Sequence, residues 1–445
     1  MTNPLNPSTN TPLHRFALLA AAMTFGLLAI GGLVTSHGVG MAVPDWPNTY
    51  GYNLFFFPVS KWVGGIFYEH THRLAASAVG LLTCILALWL HGRPARGFMR
   101  SIGLALMVLG VIAWLRWPAR WADGFVLELS GWVLLGSSLV WPRCEPSSRR
   151  LRWLGLLAVA AVVLQGVLGG LRVVLFKDQI GIFHAVLAQL FFVLLCLIAG
   201  LTDWRWTTGR GWDTAGTGLV TTWLRGLFVA GTTLILAQLV LGATMRHEHA
   251  GLAIPDFPLA YGKWWPPMDA GSVALYNQRR LEIVAMNPIT AFQIGLQMAH
   301  RLTAGAILGL VVLAAGTTIR RFGIRHHLSR ITLVWLTLIL GQGLLGAATI
   351  WSNKAADVAT AHVLVGALGL ATGSWLCWVA SAQPARAGVL LAPQWQWDLT
   401  TTTDLPPVLG ELNRRPTAAD PLSVAGRESA SWPRPVPAPM PTIPS

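Results

Sequence analysis

Four histidines in this 445-residue chain stand in two matched sets of surroundings. His72 opens "HRLAASAVGLL" (72–82) and His300 opens "HRLTAGAILGL" (300–310). His184, in "FHA", follows "QGVLGGLRV" (165–173); His362, in "AHV", follows "QGLLGAATI" (342–350). Each lies near the start of an apolar run. A single histidine in such a place is most simply a satisfied interfacial side chain, but an internal repeat placing four at one depth asks for a chemistry. Bis-imidazole ligation of haem iron is that chemistry, because ring nitrogens supply axial ligands and helical bundles house such cofactors. The neighbours fit. Ala75, Ala76 and Ala78 follow His72, and Ala304, Gly305 and Ala306 follow His300, leaving room for a flat macrocycle. Gly166, Gly169, Gly170, Gly343 and Gly346 let a third helix approach closely. Arg73 and Arg301, each beside a ligand histidine, are suited to pair with haem propionates.

In "FYEHTHRLAAS" (67–77), Glu69 precedes His72 by three residues, on the same helical face and one turn away. The matching residue before His300 is Gln297, which carries no charge. The repeats thus diverge where a carboxylate can take a proton or stabilise developing positive charge. The bland alternative is a simple pair between Glu69 and Arg73, four residues on. His70, two residues from His72, points to the other side of the helix and is not expected to be a ligand. His37, His247 and His249 fall in outer loops, where they are read as solvated with room to touch a cofactor edge, and His326 and His327 in a basic loop.

The elements that must position these residues are membrane spans. The chain is 53% hydrophobic and 11% charged, with a mean hydropathy of +0.54, which leaves too few charges to cover a soluble domain. Residues 16–36, 74–90, 151–171, 182–202, 226–243, 302–319, 331–351 and 361–380 are each near bilayer-spanning length. The first run is too long for a signal-peptide core and lacks a small-residue exit, so it reads as an uncleaved span. The net charge of +14 sits in short loops on alternate sides of the spans, the positive-inside pattern, which argues against nucleic acid. "RRFGIRHHLSR" (320–330) therefore faces the cytoplasm with 91–100 and 203–225, and the loops 37–68 and 244–289 lie outside. Cys84, Cys144, Cys196 and Cys377 form no CxxC and no evident outer-loop disulfide.

Repeats organise the whole. "VTSHGVGMAVPDWPNTYG" (34–51) matches "ATMRHEHAGLAIPDFPLAYG" (243–262), which with the histidine motifs gives two copies of a four-helix unit. Each unit starts and ends inside, so the copies are parallel. The stretch 101–142 belongs to the first copy only. Its two apolar pieces look short for spans, with Glu128 interrupting the second, so it reads as an inserted membrane hairpin of two tilted short helices or a re-entrant pair. The expected fold is all-α and integral to the membrane: two pseudosymmetric four-helix bundles, eight core transmembrane helices, plus this hairpin. The expected divisions are a cytoplasmic N-terminus (1–15), the N-terminal bundle (16–203), a cytoplasmic linker (204–225), the C-terminal bundle (226–381) and a tail (382–445). From about residue 383 the chain holds twelve of its 27 prolines and no spanning run, so the tail is expected to be disordered and cytoplasmic.

Taken in order, "EHTHR", "FHA", "AHR" and "AHV", with "GMAVPDWP" and "GLAIPDFPLAYG", resemble the haem A synthase family, the cytochrome c oxidase assembly enzymes that act on haem O. The resemblance covers roughly 15–100 and 150–381. It implies eight spans in two halves and a bound haem B ligated by His300 and His362. It also implies haem O as substrate at His72 and His184, with Glu69 as the essential carboxylate, and oxidation of a haem methyl group to a formyl group by successive hydroxylations. A bacterial inner-membrane, multi-pass location follows, with haem O synthase and oxidase assembly factors as partners and room for a homo-oligomer. Some members carry a cysteine pair in the first outer loop; here 37–68 has none, so a mechanism through those thiols is closed to this chain. Two other readings stay open: a two-haem b-type cytochrome that only relays electrons, which needs no acid in one half alone, and a haem transporter or chaperone.

Overall fold

The computed structural model describes residues 11–142, 144–177, 179–203, 220–279 and 288–390. The expected linker and tail fall mostly outside them. The protein is an all-α integral membrane protein. Among the described residues, ten helices are long and apolar enough to cross a membrane. They are α1 (Thr11–Ser36), α2 (Gly64–His91), α3 (Ala95–Arg116), α4 (Trp121–Val140), α5 (Arg149–Val174), α6 (Gln179–Thr202), α7 (Thr222–His247), α9 (Ala291–Phe322), α10 (His327–Trp351) and α11 (Ala356–Leu390). A short helix, α8 (Ala270–Gln278), lies in the second long loop.

Local chemistry sets the helix ends. Ser148 and Thr221 cap α5 and α7 by accepting from Leu151 N–H and Leu224 N–H. At α9, Thr290 and Gln293 form a reciprocal capping box. Gly92 (φ 61°) and Gly323 (φ 80°) end α2 and α9 in backbone conformations that side chains resist.

In the first half α1 packs on α2 and α6, α2 on α5, and α5 on α6; in the second, α7 packs on α9 and α11, α9 on α10, and α10 on α11. The halves meet where α1 and α6 lie against α7 and α11. Each ring of four has its apolar core at the end away from the long loops. Ala17 and Ala20 of α1, Leu86 and Leu90 of α2, and Leu195 and Ile198 of α6 fill the first. Leu224 and Phe228 of α7, Trp335 of α10 and Leu376 of α11 fill the second, where Trp335 donates to the Gly369 carbonyl at 2.9 Å. Toward the long loops the lining becomes small residues, histidine and glutamine. On α2, α6, α9 and α11 the histidines lie seven or more residues from this core, about 10 Å along the helix. The fold therefore places an apolar core at one end of each ring and the histidine and glutamine lining at the other.

The inserted stretch differs in detail from expectation. It begins at Ala95 and forms two full helices that pack mainly on each other. Their seam is built on glycines seven residues apart. Gly103 and Gly131 each face the other's carbonyl, Gly110 faces Glu128, and Gly124 faces the Trp114 ring. Glu128 thus sits against a glycine and does not break its helix. Arg96 and Arg100, expected in a loop, are helical and reach back to the Trp141 carbonyl and the Ser138 hydroxyl. The seven-residue glycine spacing was the readable sign of a packed helix pair.

Candidate functional site

The two long loops share one turn that is repeated bond for bond. Asp45 accepts from Tyr50 and Gly51 N–H (2.7 and 2.8 Å), and Asp256 from Tyr261 and Gly262 N–H (2.7 and 2.8 Å). Tyr50 and Tyr261, both in the left-handed region (φ 49° and 52°), turn their hydroxyls back to the Ala42 and Ala253 carbonyls. Each loop is then latched to the helix that carries the first histidine. Glu69, only 4% exposed, accepts Val43 N–H at 2.8 Å; Gln297, 2% exposed, accepts Ile254 N–H at 2.7 Å. The acid and the amide occupy equivalent seats.

Arg73 completes the first latch. It donates to the carbonyls of Val43, Asp45 and Asn48 at 2.7–2.9 Å and pairs with Glu69 at 2.7 Å. Arg301 donates to the carbonyls of Asp256 and Leu259 and lies over the Phe257 ring. Both guanidiniums face the loops, where the spacing suggested a porphyrin edge. His70 is buried between Phe57 and Trp62, with Nδ1 3.2 Å from the Thr49 hydroxyl, so it too belongs to the loop seat.

The four repeated histidines are all half-buried. His72 and His300 lie in the third turn of α2 and α9, deeper than their apolar runs suggested, because those helices begin at Gly64 and Ala291. His300 and His362 face each other with ring centres 6.5 Å apart. Two imidazoles bonded to opposite sides of one metal ion at about 2 Å per bond place their ring centres roughly 6 Å apart. His72 and His184 stand within electrostatic reach of one another. The buried Nδ1 of each of the four has no hydrogen-bond partner.

Every one of these rings is backed by a glycine on a neighbouring helix. A Cβ built on Gly31 would lie 3.0 Å from Cε1 of His72, and one on Gly242 would lie 3.3 Å from Cε1 of His300. On Gly169 and Gly346 it would lie 3.4 and 3.2 Å from Cε1 of His184 and His362. An alanine at Gly31, Gly242 or Gly346 would make the imidazole give by a few tenths of an ångström, while at Gly169 it would meet His184 at ordinary van der Waals contact. The sequence reading named Gly169 and Gly346 but missed Gly31 and Gly242, which stand just ahead of the repeated loop motif at the same offset. Gly166 and Gly343 face open space, and Gly170 seats the Trp46 ring.

Glutamines finish the lining. Gln165 and Gln238 donate to the backbone carbonyls of His184 and His300 at 3.0 and 2.8 Å, and the Gln342 amide lies 3.4 Å from Nε2 of His362. Among the described residues no three His, Cys, Asp or Glu side chains converge on one point. The donors come as imidazole pairs, two ligands where a protein-held zinc ion takes three or four. Such a pair fits a metal whose remaining positions belong to a macrocycle, and the residues present therefore fit a haem.

A family model described as cytochrome oxidase assembly protein (COX15-CtaA) matches residues 14–373. The chain belongs to this family. Proteins named heme A synthase are among its relatives. The one from Rhizorhabdus wittichii is 25% identical over 390 residues, 84% of this chain and 96% of its own length. That from Beijerinckia indica subsp. indica is 27% identical over 286 residues, 64% of this chain and 62% of its own. That from Halalkalibacterium halodurans is 25% identical over 234 residues, 52% and 68% of the two chains.

Proposed function

We propose that this chain is a haem A synthase: a membrane enzyme of haem A biosynthesis that oxidises a methyl group of haem O to a formyl group by successive hydroxylations. The observation that carries the reading is the facing pair His300 and His362, 6.5 Å between ring centres and each backed by a glycine, with the same furniture repeated at His72 and His184. In this reading His300 and His362 hold a resident haem B within 226–381. His72 and His184 hold the substrate haem O within 16–203, and both sites lie toward the outer face of the bacterial inner membrane. A bis-imidazole haem supplies one-electron redox chemistry when bound.

The remaining work falls to the chain. The glycines fix each ring by contact. The latched loops are tied to the helices that carry His72 and His300 at the long-loop end of each bundle. Glu69 brings a fixed carboxylate to the substrate half alone. Its Oε1 pairs with Arg73 and its Oε2 accepts Val43 N–H, which fixes the carboxylate in place, and its charge favours positive character on the substrate edge. The test is haem extraction and chromatography from cells that make the chain beside a haem O supply. Haem A should appear only when the chain is present; unchanged haem O would reject the proposal.

A further inference from the structure

Arg73 spends both terminal nitrogens on loop carbonyls and Glu69, so the carboxylates of a porphyrin held between His72 and His184 need other partners. Arg172 lies in the last turn of α5, one turn outward from Gly169, the glycine that backs His184. Its guanidinium covers Gly40 of the first long loop, where a Cβ would lie 2.8 Å from Nη1. It stands within electrostatic reach of both His72 and His184. A second basic pair comes from the other half. Arg246, in the last turn of α7, reaches across to α1, donating to the Gly32 carbonyl at 2.8 Å and the Ser36 hydroxyl at 2.5 Å. Its Nε is buried without a partner. The His247 ring lies against Gly181, one turn before His184.

Arg172 and Arg246 are close enough to repel each other. Charged side chains among membrane-spanning helices are rare and mark functional sites. The repeat offsets make the asymmetry plain. Where Arg172 stands, the second half has Thr349; where Arg246 and His247 stand, the first half has Thr35 and Ser36. The basic cluster therefore belongs to the His72–His184 site and is not a by-product of duplication.

We propose that Arg172 and Arg246, with His247 beside them, form a carboxylate-binding rim that holds the acidic side chains of the porphyrin bound between His72 and His184. Two of the three rim residues come from the C-terminal half, so the first site is complete only when the halves are docked. Arginine suits the task because its fork of N–H donors matches a carboxylate.

The proposal rests on haem O being the ligand of that site, and the test separates the two ideas. The purified full-length protein, with its resident haem retained, is titrated with haem O and with haem O dimethyl ester, and binding is followed by absorbance. Wild type should bind the diacid about tenfold or more tighter than the diester, as expected for charge-assisted hydrogen bonds. Arg172→Met should bring the two affinities together, Arg172→Lys should keep part of the difference, and the resident haem spectrum should stay unchanged in both. Arg246→Lys, which retains the charge against α1, should keep the preference, while Arg246→Met should weaken it. If Arg172→Met and Arg246→Met discriminate diacid from diester as wild type does, the rim assignment is wrong. If wild type binds neither form, the reading of the site as a haem O site fails, and the rim with it.

Discussion

Replacing Glu69 by glutamine isolates charge from structure, because the protein already holds glutamine in the equivalent seat. Gln297 accepts Ile254 N–H at 2.7 Å and turns its amide nitrogen toward the carbonyls of Gly251 and Ile254. Glu69→Gln should likewise keep the bond from Val43 N–H. What it loses is the ion pair at 2.7 Å with Arg73. A hydrogen bond to a charged group contributes about 1.5–3 kcal/mol. Arg73 keeps its three carbonyl acceptors, at Val43, Asp45 and Asn48, so the stability cost should fall at the lower end, about 1.5 kcal/mol. The chemical cost should be larger. Removing a preorganised electrostatic group typically slows turnover on the order of a hundredfold. The variant should thus fold, retain haem at His300 and His362, admit haem O, and accumulate haem O or a hydroxylated product. The assay is chromatography of extracted haems, with thermal unfolding of the purified variant as the control. Haem A formation at the wild-type rate would show that Glu69 only latches the loop, as Gln297 does.

Three further outcomes follow from the geometry. His300→Ala or His362→Ala should abolish the low-spin haem B signal, since each removes one of two ligands; full retention in both, read by pyridine haemochrome, would refute the pairing. Gly31→Leu, whose Cβ alone would lie 3.0 Å from His72 Cε1, should weaken haem O binding by about tenfold or more and spare the resident haem, whereas Gly242→Leu should do the reverse. A cysteine placed at Ser272 in the second long loop, in a background without the native cysteines, should react with a membrane-impermeant thiol reagent from the outer face; labelling only from the cytoplasmic side would overturn the orientation drawn from the arginine-rich short loops.

Much of this was legible in the sequence because two signals are carried by residue type alone. Apolar run length marked the eight core spans, and the internal repeat singled out His72, His184, His300 and His362 from twelve histidines. What escaped depends on contacts that spacing along one helix does not encode. Arg73 and Arg301 looked like porphyrin partners from their place beside histidine, yet the loop carbonyls above them compete for the same donors. Gly31, Gly242 and Arg246 act across helices, and Arg246 and His247 across halves; of these only His247 was singled out, as able to touch a cofactor edge. The hairpin was misjudged as short because Glu128 and the flanking arginines trimmed its apolar runs, while its glycine seam went unread.

The most direct test is the haem content of the purified wild-type protein, by reduced absorption spectrum, pyridine haemochrome and mass analysis. Two porphyrin sites of which one is reactive should give low-spin haem B together with haem O or haem A, the second species being lost in His72→Ala and His184→Ala and the first kept. Haem B alone at both histidine pairs, with no haem O or haem A bound even when haem O is supplied, would contradict the synthase reading and make the chain a two-haem electron relay.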